Sequence, residues 1–193
     1  IPAYEHLNQV INRASSDNIT ELQQAYQQFN NVWLSNERVV RNTSMGHYGA
    51  IETAMALMRV AIESSPPNID KIKQQSLHLK TALDSYNSGG TVVATQNTHS
   101  LNDGTQLLRE GFNAFQANNI NEGQDKLTRF IEIWPSIEGD VSTRNPALYS
   151  RIESQVPVIL AKGNEPAQQM ALSGLIDELD RINPSQQYSA VDA

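Results

Sequence analysis

Several signals that commonly reveal function are missing from this sequence. It contains no cysteine, so disulfide scaffolds and thiolate metal sites are excluded. It has no run of basic residues, and its formal net charge of −7 disfavours binding to nucleic acid, which relies on cationic contacts with phosphate. No apolar run approaches the roughly 20 residues of a membrane-spanning helix. We therefore expect a soluble protein that does not bind nucleic acid.

Recognisable catalytic motifs are missing as well. The pair Gly89-Gly90 follows a serine and lacks the lysine of a phosphate-binding loop. No nucleophile elbow occurs, and no acid–base pair stands beside a recognisable nucleophile or cofactor motif. The sequence therefore predicts a protein that is not an enzyme.

Helical periodicity dominates what is present. Apolar residues recur at spacings of three, four and seven along most of the chain, which is typical of amphipathic helices. Asn18 and Asn119 each precede a glutamate by three residues, which predicts capping boxes, while Pro135 and Pro157 are expected to kink or end a helix. The pattern predicts eight helices, at about 4–17, 19–41, 45–63, 68–86, 101–117, 120–140, 146–161 and 166–182.

The sequence contains an internal repeat. Residues 7–52 and 108–153 align without a gap at an offset of 101, and the only two tryptophans, Trp33 and Trp134, occupy equivalent positions. Two copies are too few for a solenoid, which usually needs at least about three. We therefore predict an all-α, internally duplicated helical bundle with two four-helix halves. Its predicted parts are helical repeat 1 (1–86), a linker (87–100), helical repeat 2 (101–183) and a flexible tail or tether (184–193).

Both copies retain the same aromatic and acidic residues. Trp33 is followed by Glu37 and Tyr48 by Glu52, and the members of each pair are four residues apart, so they share a helix face. If the two segments form an antiparallel hairpin, Glu37 and Glu52 approach each other. The second copy repeats this arrangement with Trp134, Glu138, Tyr149 and Glu153.

Converging carboxylates predict a cation site. Iron, calcium and manganese take oxygen ligands, and metal-carrying helix bundles use inward-facing glutamates. If a pseudo-twofold axis relates the halves, the four carboxylates converge, with Tyr48, Tyr149 and His47 as further candidate ligands. The alternative is structural: the aromatic residues fill a core, and Glu37 forms an ion pair with Arg41, four residues later.

The repeated pattern Phe-x-x-x-Trp-x-x-x-Glu, Val, Tyr-x-x-Ile-Glu resembles the N-terminal region of the oxidase-dependent, high-affinity ferric-iron permeases of bacteria and cyanobacteria. The residues that carry the resemblance are Phe29, Trp33, Glu37, Val40, Tyr48, Ile51 and Glu52, and Phe130, Trp134, Glu138, Val141, Tyr149, Ile152 and Glu153. In that family a signal peptide and a helical extracytoplasmic region precede the membrane helices. The family's transport signature, Arg-Glu-x-x-Glu, is absent, so this chain would not itself transport iron.

The resemblance implies an iron-handling domain outside the cytoplasm. It would capture or hand over iron, or dock a partner oxidase or iron-binding protein, while tethered to the membrane permease portion of the same protein. The start Ile1-Pro2-Ala3, without an initiator methionine, is consistent with removal of a signal peptide or with a trimmed boundary. Two alternatives stay open: a purely structural or protein-docking helical module, and a helical sensor domain of a membrane receptor.

Overall fold

All regular structure in the described part of the chain is helical. The computed structural model describes residues 2–15, 18–91 and 99–183, and every regular element in these ranges is a helix. The all-α prediction is therefore confirmed.

The chain divides into two compact units, Ile1–Gln96 and Asn97–Ala193, here called unit 1 and unit 2. The division falls inside the predicted linker 87–100. Residues 92–98 of that linker and the predicted tail 184–193 lie outside the described residues. The internal duplication stays a prediction.

Unit 1 is built from five helices in its described residues, one more than the predicted four. They are α1 (Pro2–Asn12), α2 (Ile19–Leu34), α3 (Glu37–Thr43), α4 (Met45–Glu63) and α5 (Ile69–Asn87). The helices α4 and α5 pack along each other, and α1 packs on both α2 and α5. The core between them contains Leu7, Leu22, Phe29, Ile51, Met58 and Leu79, all fully buried.

Unit 2 is a four-helix bundle in its described residues, as predicted. Its helices are α6 (Leu101–Gln116), α7 (Ile120–Arg144), α8 (Pro146–Lys162) and α9 (Pro166–Ile182). Both α6 and α8 pack on α7 and on α9, which closes the bundle. Its fully buried side chains include Leu108, Leu127, Phe130, Val141, Leu148 and Leu172.

The helix predicted over 19–41 is broken into α2 and α3, so that prediction is wrong. At the break, Asn36 Nδ2 donates to the Val32 carbonyl at 2.7 Å, and the Ser35 hydroxyl donates to the Asn31 carbonyl at 3.3 Å. Side chains of this kind compete with the helical ladder for backbone groups. At the position equivalent to Asn36, unit 2 carries Ile137, and α7 runs without interruption to Arg144.

Pro135 and Pro157 do not end their helices. The helix α7 continues through Pro135 and α8 through Pro157, and both prolines are buried. A proline removes one backbone donor, and burial of its apolar ring offsets part of that loss. The first helix, predicted over 4–17, instead ends at Asn12. Beyond it, the N–H groups of Arg13 and Ala14 donate to the carbonyls three residues back, those of Val10 and Ile11.

The predicted capping boxes at Asn18 and Asn119 are also wrong. Both residues are N-caps, but neither side chain caps the helix that follows. The Asn18 side-chain oxygen accepts a hydrogen bond from the Ser15 N–H at 2.8 Å instead. A capping box does form at Ser100 and Asp103, because the extended backbone of Ser100 directs its hydroxyl toward the Asp103 N–H.

Gly123 and Gly139 lie in the same helix, yet their surroundings predict opposite effects of alanine. A Cβ at Gly123 would come within 2.5 Å of the Phe115 ring, whereas a Cβ at Gly139 would meet nothing within 4 Å. Gly123→Ala should lower the free energy of unfolding by about 1–3 kcal/mol through overpacking. Gly139→Ala should raise it by about 0.5–1 kcal/mol through helix propensity.

Urea denaturation of the two variants measures this difference. The background Phe115→Leu, which removes the ring, should reduce the loss caused by Gly123→Ala, since neighbouring substitutions are not additive. Equal effects of alanine at the two glycines would contradict the packing of Gly123 against Phe115.

Candidate functional site

The predicted site residues of unit 1 lie on α2, α3 and α4. Trp33 lies in the last turn of α2, Glu37 begins α3, and Tyr48 and Glu52 are one turn apart on α4. The Trp33 indole N–H donates a hydrogen bond to Glu52 Oε1. The rings of Trp33 and Tyr48 are stacked, with centroids 6.2 Å apart and planes inclined by 20°. We call these four residues the unit 1 cluster.

Unit 2 has the same contacts between the equivalent residues. The Trp134 indole N–H, on α7, donates to Glu153 Oε1 on α8. The rings of Trp134 and Tyr149 are stacked at 6.1 Å and 20°. Glu138, one turn after Trp134, is only 1% exposed. These residues form the unit 2 cluster.

The two glutamates of each cluster lie at similar heights along their helices. Only Ser44 separates α3 from α4, and only Asn145 separates α7 from α8, and each pair of helices packs together. In unit 1, Glu37 comes seven residues before Ser44 and Glu52 comes eight after it. In unit 2, Glu138 comes seven residues before Asn145 and Glu153 comes eight after it. At about 1.5 Å of rise per residue, all four lie roughly 10–12 Å from the turn.

Arg41 adds a positive charge to the unit 1 cluster. Its guanidinium carbon lies 5.5 Å from the centre of the Tyr48 ring, a cation–π contact. Burial raises the pKa of the half-buried Glu37 carboxyl above its ordinary value of 4.5, and the charge of Arg41 opposes that shift. The sequence indicated a relation between Arg41 and Glu37, but not the position of Arg41 over Tyr48.

The raised pKa of Glu37 means that ionisation of its carboxyl lowers the stability of the folded protein. The folded protein holds this proton more tightly than the unfolded chain does, so ionisation of Glu37 costs stability. That cost is absent below the unfolded pKa, develops as the pH rises above about 4.5, and is complete above the folded pKa.

Removal of Arg41 should raise the pKa of Glu37 further, because the opposing charge is lost. A titration followed by NMR of the side-chain carboxyl carbon measures the pKa in Arg41→Ser. The control is Arg38→Ser, which removes the same charge from an exposed position on α3. A pKa that falls in Arg41→Ser would contradict the electrostatic role of Arg41.

His47 is buried, and both of its ring nitrogens have hydroxyl partners. Nδ1 lies 2.8 Å from the Ser44 Oγ, Nε2 lies 3.0 Å from the Ser85 Oγ, and the ring meets Tyr86 edge-on at 5.6 Å. Coordination of a metal by His47 would require one of these hydrogen bonds to break. Nothing in the sequence indicated Ser85, because it lies 38 residues away on another helix.

The described residues limit the ligands that a cation would find. Within 2–15, 18–91 and 99–183, no three His, Asp or Glu side chains come together as a metal-binding group. Each cluster holds two of the predicted carboxylate ligands and one predicted tyrosine ligand. Convergence of all four carboxylates on one site stays a prediction.

Trp33 and Trp134 have a polar role that the sequence analysis missed. Their spacing predicted core residues, and both are indeed buried, but each also orients a glutamate through its indole N–H. Each tryptophan comes nineteen residues before the glutamate that it contacts, at equivalent positions in both copies. This shared spacing is the sequence feature that could have predicted the contact. Arg151, two residues before Glu153 in the sequence, pairs with Glu178.

A comparison with protein-family models, curated proteins and solved structures finds no significant match to this chain. The resemblance to iron permeases therefore stays a prediction. Among the helices of the described ranges, none combines the length and apolar character needed to cross a membrane.

Proposed function

We propose that this protein is a non-enzymatic, iron-handling helical domain of an iron-uptake permease, located at the periplasmic or extracellular face. In this proposal it captures iron or hands it over, and the permease portion of the same protein tethers it to the membrane. A partner oxidase or iron-binding protein would supply or receive the ion. Glu37, Glu52 and Tyr48, and Glu138, Glu153 and Tyr149, are the proposed ligands.

The observation that supports this proposal most is the contact of a tryptophan with a glutamate in both clusters. Ligating carboxylates in metal sites are characteristically oriented by hydrogen bonds from outer groups. The indole N–H of Trp33 orients Glu52 in this way, and that of Trp134 orients Glu153. A tyrosine ring is stacked on each tryptophan, and its phenol oxygen is the third proposed ligand, of a kind that hard cations accept.

Calorimetric titration of the purified, chelator-stripped protein tests the proposal. Fe(II) is added under anaerobic conditions, and Fe(III) is added as a chelate. We expect saturable binding at one or two sites with micromolar or tighter affinity. Heat that never saturates, at the level of weak surface association, would contradict iron handling.

Exposed apolar side chains favour a docking module as the second candidate function. Leu34 and Val39, on either side of the break between α2 and α3, are 55% and 61% exposed. Exposed apolar groups that lie near each other can mark a surface for another protein. If iron does not bind, Leu34→Ser with Val39→Ser should weaken association with the permease portion, and Met170→Ser, at another exposed position, should not.

A further inference from the structure

We draw no further inference here: the strongest candidate, the exposed apolar patch of Val32, Leu34 and Val39 at the break between α2 and α3, belongs to the docking surface already described, and nothing in the described residues shows what covers it.

Discussion

Replacement of the four cluster glutamates by glutamine should abolish specific iron binding while the helices remain. The variant carries Glu37→Gln, Glu52→Gln, Glu138→Gln and Glu153→Gln. Glutamine keeps the shape of glutamate, and its carbonyl oxygen still accepts the tryptophan N–H, but the negative charge is lost. Loss of a single outer-shell partner typically weakens metal binding by about 10–100-fold, so loss of the ligands should exceed 100-fold. Calorimetry measures the binding, and far-ultraviolet circular dichroism measures the helix content.

The matched control also converts four glutamates to glutamine, but at positions outside the clusters: Glu21, Glu63, Glu132 and Glu165. It changes the net charge by the same amount, so a general effect of the acidic surface would appear in both variants. We expect the control to bind iron like the unmodified protein. Unchanged iron affinity in the cluster variant would show that these four glutamates are not the iron ligands.

Phe130→Ala should cause the largest loss of stability in unit 2. The Phe130 ring is 1% exposed, and its centroid lies 5.4 Å from that of Trp134. Truncation of a buried phenylalanine removes apolar burial and leaves a cavity, so the free energy of unfolding should fall by about 3–5 kcal/mol. Urea denaturation followed by circular dichroism measures this loss.

Met170→Ala is the control for Phe130→Ala, because the Met170 side chain is 77% exposed on α9 of the same unit. Surface substitutions of this kind usually change stability by less than about 0.5 kcal/mol. The fluorescence of Trp134 in Phe130→Ala should also shift to longer wavelength, since its buried neighbour is gone. A loss below about 1 kcal/mol in Phe130→Ala would contradict the packing of α7 in the core of unit 2.

Apolar periodicity predicted the positions of several helices closely. The predicted helices 45–63 and 166–182 are confirmed with the same bounds. The helix ends that were wrong depend on side chains competing for backbone groups. The break at Asn36 and the uncapped Asn18 depend on local backbone angles, and a pattern of residue types does not specify those angles.

The candidate site followed from the sequence only in part. The spacing of the repeat predicts that Glu52 and Glu153 each lie on the second helix of a hairpin, packed beside the first. Their hydrogen bonds with Trp33 and Trp134 cross between helices and depend on tertiary packing. The pairing of His47 with Ser85 joins residues far apart in the chain, so spacing along one helix carries no information about it.

The break between α2 and α3 lies between two members of the unit 1 cluster, Trp33 and Glu37. Trp33 and Glu37 lie on different helices, whereas Trp134 and Glu138 share the continuous helix α7. Interrupted ladders open at lower free energy than continuous helices, and hydrogen exchange of backbone amides reports such opening. The amides of Ser35 and Asn36 should exchange faster than those of Ser136 and Ile137. In unit 1, Glu37 can therefore move relative to Trp33. In unit 2, the continuous helix α7 fixes the position of Glu138 relative to Trp134.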